Sequence, residues 1–443
     1  MPSETNRHAL RGTLVDVMDS PDGEGPVLRH VDDGVLVIQG GEIVAVGEAA
    51  TLLPTLGGVD VHDHRGRLLL PGFIDAHLHY PQTEMIGAFG EQLLQWLSRY
   101  TFPTEARFAD PEHAAAIAER FLDELLRNGT TTAVVLGSVH RSSADAIFEA
   151  AAARGLRLVA GQVMMDRNAP ENLRDTPQSS YDDGLALIEQ WHERPGTRLS
   201  YAVTPRFAAT SSPEQLQAAA RLLQEHPGVF MHTHWAENRD EIAWVKELYP
   251  ESSSYLRVYH DHGLLRRRSV LAHGVHPAPG DLALLAETGA TVAFCPTSNL
   301  FLGSGLFDLP GARKAGVHVG LGTDVGAGTS FSMLQTMAEA YKVGQLRRSL
   351  PDAQGVAPLS VAQALYSATL GSARGLGLDA HIGSLEVGKE ADVIVLDPKA
   401  TPLLELRMGR AETVEEQLFA LMILGDDRAV EATYVHGRRW RSP

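Results

Sequence analysis

The sequence predicts an α/β protein, a (β/α)8 TIM barrel over residues 70–380 joined to a small β-sandwich domain. Two observations carry this prediction. Eight short runs rich in apolar and β-branched residues alternate with longer segments of helical spacing, which is the pattern of a parallel barrel. Both ends of the chain hold only short strand-like runs split by glycine and aspartate turns. The 443 residues are enough for one large domain and one small domain.

The two ends, residues 1–69 and 381–443, are predicted to form the β-sandwich domain together. The strands predicted there are Leu10–Val17, Val27–Gln39, Glu42–Val46, Gly383–Leu396 and Val430–Arg438. Gly40-Gly41 between two of them is a hairpin signal. Neither end has enough strands for a core of its own, so the domain needs both.

The middle of the chain supplies the barrel. Its predicted strands are Gly72–His79, Thr130–Leu136, Arg157–Val163, Leu199–Arg206, Val229–Glu237, Ser269–Val275, Ala290–Pro296 and His318–Val325. The helical patterns between them include Pro111–Arg127, Ala144–Arg154, Pro213–His226 and Asp281–Glu287. Asp110 and Ser212 each stand before a proline, as N-cap residues do. Because the segment exceeds the about 250 residues of a bare barrel, we expect helical insertions at Arg239–His262 and after Ser330.

Side chains that bind metal ions fall at the carboxyl ends of four predicted barrel strands, where barrel active sites lie. They are His77 and His79 on strand one, His234 on strand five, His273 on strand six and Asp324 on strand eight, with Glu237 three residues after His234. Residues two apart on a strand face the same way, so His77 and His79 point at one place. Imidazole and carboxylate groups are ligands of zinc-class cations, and the pattern indicates a metal-dependent hydrolase.

Other histidines, and the single cysteine, could be mistaken for residues of the site. His62-Asp63-His64 repeats the His-x-His spacing, but it lies in a charged stretch that we interpret as a turn with solvated histidines. His232 shares a face with His234, yet it lies one layer deeper, and His234 alone has the right offset to Glu237. Cys295 is the single cysteine, and its apolar surroundings predict a buried core thiol.

Composition excludes several classes of function. A formal net charge of −17 argues against binding to nucleic acid or to an anionic membrane. No apolar run approaches the about 18 residues of a membrane helix, and Met1–Leu14 has no apolar core of a signal peptide. A single cysteine permits no intramolecular disulfide and suits a reducing compartment. The sequence therefore predicts a cytoplasmic protein with a small neutral substrate.

Motifs along nearly the whole chain resemble the amidohydrolase superfamily. They are Pro71-Gly-Phe-Ile-Asp-Ala-His-Leu-His79, the strand-five and strand-six histidines, the strand-eight aspartate and Gly383-Ser-Leu-Glu-Val-Gly-Lys-Glu-Ala-Asp392. Members with two metals usually bridge them with a carboxylated lysine from a middle strand. Here the first lysine is Lys246, so the resemblance implies one metal per chain. We expect Zn²⁺, with iron and manganese as alternatives, held by His77, His79, His234 and Asp324.

Further motifs resemble the guanine deaminase family within that superfamily. They are His79-Tyr-Pro-Gln82, Gly90-Glu-Gln-Leu-Leu-Gln-Trp-Leu97, Tyr100-Thr-Phe-Pro-Thr-Glu105 and Thr204-Pro-Arg-Phe207. The resemblance implies hydrolytic deamination of guanine to xanthine and ammonia by a metal-activated hydroxide. It also implies a homodimer, with the Tyr100–Glu105 loop as a candidate interface. His232 departs from the family pattern, in which we expect an uncharged polar residue.

Guanine has a carbonyl oxygen, ring NH groups and a flat face, and the motifs hold matching groups. We expect Arg206 to donate to the carbonyl, Gln82 to donate and accept, and Phe207 to lie against the ring. His234 and Glu237 complete the predicted substrate contacts. Trp96 has helical spacing with leucines, which favours core packing over a place in the pocket and leaves both roles open.

The predicted catalytic residues are Glu237, His273 and Asp324. Glu237 would carry protons to a ring nitrogen and then to the leaving ammonia, Asp324 would accept the proton of the water, and His273 would hold the attacking oxygen. One alternative is a sibling amidohydrolase that acts on another amino- or chloro-substituted ring, such as a modified purine or a triazine. One remote alternative is a non-catalytic scaffold of the same fold, which predicts that the ligands are lost, although all four and Glu237 are present. Another is a metal-storage protein, which leaves Glu237 and His273 without a task.

Overall fold

The computed structural model describes residues 7–19, 25–351 and 356–440, so the ends of the predicted sandwich domain at 1–6 and 441–443 lie outside the described residues. The strands described are β1 Arg7–Asp19, β2 Pro26–Gln39, β3 Glu42–Glu48, β4 Asp60–Pro71, β5 Phe73–His79, β6 Thr130–Leu136, β7 Arg157–Gly161, β8 Val163–Met164, β9 Leu199–Pro205, β10 Phe230–Trp235, β11 Ser269–His273, β12 Thr291–Phe294, β13 His318–Leu321, β14 Val393–Leu396, β15 Val430–Val435 and β16 Arg438–Arg439.

The α-helices described are α1 Ala49–Leu52, α2 Leu93–Trp96, α3 Phe102–Glu105, α4 Pro111–Arg127, α5 Arg141–Arg154, α6 Pro177–Trp191, α7 Pro213–Glu225, α8 Arg239–Leu248, α9 Tyr255–Asp261, α10 Asp281–Thr288, α11 Pro296–Phe301, α12 Leu309–Lys314, α13 Met333–Arg348, α14 Val361–Ala368, α15 Leu370–Leu376, α16 Pro402–Met408 and α17 Val414–Leu424. A π-helix, Leu97–Thr101, joins α2 to α3. In the described part of the chain, no helix is long and apolar enough to cross a membrane.

Eight parallel strands form the barrel, in the order β5-β6-β7-β9-β10-β11-β12-β13, with the short β8 beside β9. The barrel closes where Asp324 N donates to His77 O at 2.9 Å and His79 N donates to Val325 O at 2.8 Å. Strands such as β5, β6 and β9 are buried along their whole length, as expected for strands covered on both faces. The predicted α/β barrel is confirmed.

Capping residues set the starts of the barrel helices as predicted. Asp110 accepts from Glu112 N at 3.0 Å, with Pro111 as the first residue of α4. Ser212 accepts from Gln215 N at 3.1 Å before Pro213 of α7. These oxygens satisfy backbone NH groups that lack a partner within the helix.

The second sheet has seven strands from both ends of the chain, in the order β16-β15-β14-β4-β1-β2-β3. Ile43 N donates to Lys389 O and Ala391 N donates to Gly41 O, both at 2.8 Å, so the β2–β3 hairpin contacts the segment before β14. A separate apolar core fills this sheet; its members include Leu10, Leu36, Leu69, Val393 and Tyr434. The exact division at residues 69 and 381 stays a prediction.

Some predicted strands are too long. The predicted strand Gly383–Leu396 begins only at Val393, and the predicted Arg157–Val163 is split into β7 and β8. The predicted Val229–Glu237, Ser269–Val275 and His318–Val325 end at Trp235, His273 and Leu321. At this end of the barrel the chain leaves strand geometry because Ala236, His273 and Asp324 have positive φ values of 49°, 74° and 54°.

The interpretation of His62-Asp63-His64 as a turn was wrong. These residues lie in β4, where His64 is buried while Asp63 and Arg65 are exposed. The charged residues that indicated a turn occupy the solvent face of the strand, and the histidines occupy the inner face. Alternation with a period of two was the signal that the charge pattern concealed.

Candidate active site

The structure brings all four predicted metal ligands together at the carboxyl end of the barrel. Asp324 Oδ1 lies 3.1 Å from His77 Nε2 and 3.4 Å from His79 Nε2. His79 Nε2 lies 3.1 Å from His234 Nε2. A tetrahedral ion with bonds of about 2.1 Å separates neighbouring ligand atoms by about 3.4 Å. The donor atoms are therefore spaced to hold one divalent cation.

Hydrogen bonds fix which nitrogen of His234 is free. His234 Nδ1 lies 2.7 Å from the carbonyl oxygen of Arg206, and a carbonyl only accepts, so Nδ1 carries the hydrogen. The Nε2 lone pair then faces His79 and the cluster centre. This is the arrangement by which an outer hydrogen bond orients a metal-binding imidazole.

Electrostatics favour the ligating forms of these residues. Burial lowers the pKa of His77 to about 3 and lowers the pKa of His234 well below its ordinary value. Burial alone would raise the pKa of Asp324, but hydrogen bonds with His77 and His79 hold that pKa well below its usual range. Neutral imidazoles around a carboxylate are the donor set of a divalent transition-metal ion.

His232 lies beneath the cluster, as predicted from its position on the strand. Its Nε2 is 2.7 Å from His77 Nδ1, so it contacts the ring edge of His77 that faces away from Asp324. The three-residue groups that could hold a metal among the described residues contain His77 with His79 and His234, or His77 with His273 and Asp324, and neither contains His232.

Asp75 holds the first and last barrel strands together at the site, and the sequence analysis missed it. Asp75 Oδ1 accepts from Thr323 N at 3.0 Å and from His77 N at 3.2 Å, and Oδ2 accepts from the Thr323 hydroxyl at 2.5 Å. Burial raises the pKa of Asp75 to about 7. A carboxylate within the otherwise apolar run before His77 was the available signal.

Two further candidate residues face the cluster. His273 Nε2 lies 3.4 Å from Glu237 Oε2 and 3.9 Å from Asp324 Oδ2. Burial raises the pKa of Glu237 to about 7. Burial opposes charging of His273, but Glu237 and Asp324 outweigh it and raise the pKa of His273. Glu237 and His273 therefore lie side by side at the cluster, each with a raised pKa.

Glu237 and His273 are each bound by a residue that was not predicted from the sequence. The hydroxyl of Ser304 donates to Glu237 Oε1 at 3.0 Å, and His273 Nδ1 lies 2.9 Å from Asn299 Oδ1. Both partners belong to the segment after β12, which carries no ligand-like spacing. They are close to the site only because α11 folds back over the end of the barrel.

A cavity lies beside the cluster. Its walls are His79, Gln82, Leu93, Trp96, Leu97, Thr101, Arg206, Phe207, His234, Glu237, Glu241, His273, Leu302, Asp324 and Ala327. All the predicted substrate contacts are among them. Trp96 packs in the core as predicted, and it also lines the cavity.

Arg206 and Gln82 share a partner. Arg206 Nη1 lies 2.6 Å from Glu105 Oε2, and Gln82 Nε2 donates to Glu105 Oε1 at 2.9 Å. Glu105 is fully buried, in a segment predicted as a loop that is instead the end of α3. Sequence reasoning found the motif containing Glu105 but gave this residue no role.

Comparisons with known proteins agree with this geometry. The model of the amidohydrolase family matches residues 68–439. The guanine deaminase of Escherichia coli (strain K12) is 51% identical over 444 residues, 99% of this chain and 98% of that protein. A solved structure of E. coli guanine deaminase has a TM-score of 0.93 at 50% identity and covers 98% of this chain and 99% of its own. A crystal structure of guanine deaminase from C. acetobutylicum with bound guanine in the active site has a TM-score of 0.89 at 28% identity and covers 98% and 100% of the two chains.

Proposed function

The chain belongs to the amidohydrolase family, and from that premise we propose that it catalyses the hydrolytic deamination of guanine to xanthine and ammonia. The observation that carries the proposal is one cavity in which the ligand cluster and the guanine-matching side chains meet. The similarity to guanine deaminases extends over nearly the whole chain, which supports the same substrate.

His77, His79, His234 and Asp324 would hold one divalent cation, and we propose zinc. The spacing of their donor atoms and the lone pair of His234 Nε2 support this assignment. When bound, such a cation lowers the pKa of a coordinated water toward neutrality and so supplies a nucleophile.

The protein's own groups then move the protons. In the reaction the water oxygen bonds to the ring carbon that carries the amino group, and the bond from that carbon to the amino nitrogen breaks. Glu237 Oε2 protonates the adjacent ring nitrogen. It then carries the proton that Asp324 took from the water to the leaving amine, which departs as ammonia, and the added hydroxyl returns its own proton to Glu237 as the carbonyl forms. A pKa of about 7 lets this carboxyl both give and accept a proton at neutral pH. His273 Nε2 orients the water, and Asp324 accepts its proton.

Recognition of the base involves the opposite wall of the cavity. Arg206 donates to the carbonyl oxygen of guanine, and Gln82 contacts a neighbouring ring position. Phe207 and Trp96 supply flat apolar surfaces for the ring. A neutral base needs no positive field around the protein, which agrees with the net charge of −17.

We also propose a cytoplasmic homodimer. The single, buried Cys295 suits a reducing compartment. The resemblance suggested Tyr100–Glu105 as the interface, but Thr101 and Glu105 are fully buried within this chain. Only the outward residues of the segment could therefore contact a second copy.

An ammonia-release assay tests the function. The panel is guanine, adenine, an aminotriazine and a chlorotriazine (with chloride release measured for the last), with metal analysis of the same sample. We expect one divalent cation per chain and a preference for guanine over adenine of at least about 10³-fold, because the analogue leaves a buried donor unpaired. Equal turnover of adenine or of a triazine would replace this function by that of a sibling enzyme.

A further inference from the structure

Among the residues that the structure describes, Glu105 is the one that is hydrogen-bonded to both side chains proposed to read the edge of the base. It ends α3, it is fully buried, and its two oxygens are divided between two partners. Oε2 binds Arg206 Nη1 at 2.6 Å, and Oε1 accepts from Gln82 Nε2 at 2.9 Å. Glu105 is not itself among the residues lining the cavity, so it acts behind the recognition residues.

This arrangement decides how Gln82 is turned. A side-chain amide has a donor end and an acceptor end, whereas a carboxylate only accepts. The NH2 group of Gln82 must therefore face Glu105, and Oε1 is left as the acceptor. Gly326 N donates to Oε1 at the long distance of 3.4 Å, which leaves a lone pair for another donor.

The carboxylate of Glu105 binds only part of the Arg206 guanidinium, so the other NH groups of Arg206 remain available as donors. Only Nη1 of its guanidinium is bound to Glu105, and within the described part of the chain the remaining NH groups have no hydrogen-bond acceptor. Arg206 lines the cavity and is 2% exposed, so these groups need a partner there. The recognition wall thus presents a donor at Arg206 beside an acceptor at Gln82.

We propose that Glu105 is a positioning residue that fixes this donor–acceptor order and thereby determines substrate specificity. The order complements a purine edge with a carbonyl oxygen beside a ring NH. The same order disfavours a purine edge with an amino group beside an unprotonated ring nitrogen, because that edge presents a donor to Arg206 and an acceptor to Gln82. This inference rests on the proposed function and deepens it, because it explains which 2-aminopurines the site accepts.

The test compares guanine with 2,6-diaminopurine, because both carry the same 2-amino leaving group and differ only at the recognised edge. We expect wild type to prefer guanine by about 10³-fold or more in kcat/KM. Glu105→Gln frees Gln82 to turn its NH2 group toward the cavity. This variant should retain its metal, raise the KM for guanine more than it lowers kcat, and reduce the preference at least about tenfold.

Controls separate this role from a merely structural one. Glu84→Gln removes a carboxylate that pairs at the surface with Arg107 at 2.8 Å, and the preference should stay at the wild-type value. In Gln82→Glu/Glu105→Gln, residue 82 can only accept and residue 105 can donate to it, so the acceptor in the cavity is restored. The double variant should regain guanine preference, and it remains measurable if Glu105→Gln does not fold.

The possible failures are distinguishable. If Glu105→Gln lowers kcat/KM for both bases by the same factor, or if the double variant does not recover the preference, the positioning role is overturned and the proposed function stands. If wild type releases ammonia from neither base, the proposed function fails, and this inference fails with it.

Discussion

Two His-x-His motifs lie 15 residues apart in this chain, and the fold uses them differently. His77 and His79 lie on β5, and His62 and His64 lie on β4. In both pairs the rings share one face of a strand. The first pair meets Asp324 and His234, whereas both rings of the second pair contact the hydroxyl of Tyr434 at 3.0 Å.

The comparison shows that His-x-His spacing places two imidazole rings on one face of a strand. The residues packed against that face then decide whether the rings can bind a metal. In the barrel, several strand ends converge on one point and leave nitrogen lone pairs directed at it. In the terminal sheet, both nitrogens of His64 are engaged, since Nδ1 lies 3.1 Å from Glu431 and Nε2 faces Tyr434. A metal ligand needs a free lone pair, and His64 has none.

The largest expected effect is the loss of metal from one motif and not from the other. His77→Ala and Asp324→Ala each remove a donor from the cluster, so we expect less than one tenth of the wild-type metal content and no measurable turnover. His62→Ala and His64→Ala should keep full metal and at least half of the activity. Elemental analysis of the purified variants measures this.

Full metal occupancy in His77→Ala would show that the ligand assignment is wrong. Metal loss in His64→Ala, with folding verified by circular dichroism, would show that the comparison itself is wrong. His77→Ala, His62→Ala and His64→Ala remove the same side chain, so differences in side-chain volume do not confuse the comparison between the two motifs.

The sequence predicted the barrel and the cluster of candidate ligands because both depend on local patterns. Strand ends carry His77, His234 and Asp324, and the ends of parallel strands meet at one edge. The sequence did not predict that Asp75 binds Thr323 or that Ser304 binds Glu237. Such contacts join segments that are distant in the chain, and no periodicity marks them.

His62 and His64 show the converse error. Their charged neighbours indicated a turn, although the charges lie on the outer face of β4 and the pairing of this part of β4 with β1 sets the conformation. Tertiary pairing overrode local composition, as is common for strands.

The second prediction compares the replacement of glutamate by glutamine at Glu237, in the barrel site, and at Glu431, in the terminal sheet. Glu237→Gln keeps shape and removes proton transfer, so we expect kcat to fall by about 10²–10⁴-fold with the metal retained. Glu431→Gln alters the partner of His64 and Arg67 in the terminal sheet and should leave kcat within twofold of wild type. Steady-state kinetics and metal analysis measure both. Near-normal turnover in metal-loaded Glu237→Gln would eliminate it as the proton carrier.

The smallest expected effect is a loss of stability without loss of function. Tyr434→Phe deletes the hydroxyl between His62 and His64, and His64 Nε2 is then buried without a partner. An unsatisfied buried polar group costs about 1–3 kcal/mol, and we expect this decrease in the free energy of unfolding, with metal content and kcat unchanged. Urea denaturation measures the stability, and Tyr341→Phe, which removes a hydroxyl from a half-buried position, serves as the matched control.

The pH of that measurement matters. Burial lowers the pKa of His64 below its ordinary value of 6.5, so the folded protein binds fewer protons there than the unfolded chain does. The contribution of the neutral ring to stability is complete above pH 6.5 and is lost as the pH falls through the lower, folded pKa. At pH 8 the comparison between Tyr434→Phe and Tyr341→Phe therefore reports the lost hydrogen bonds alone. A decrease for Tyr434→Phe no larger than that for Tyr341→Phe would show that the hydroxyl does not hold the two histidines, and the second motif would then need another explanation for its lack of metal.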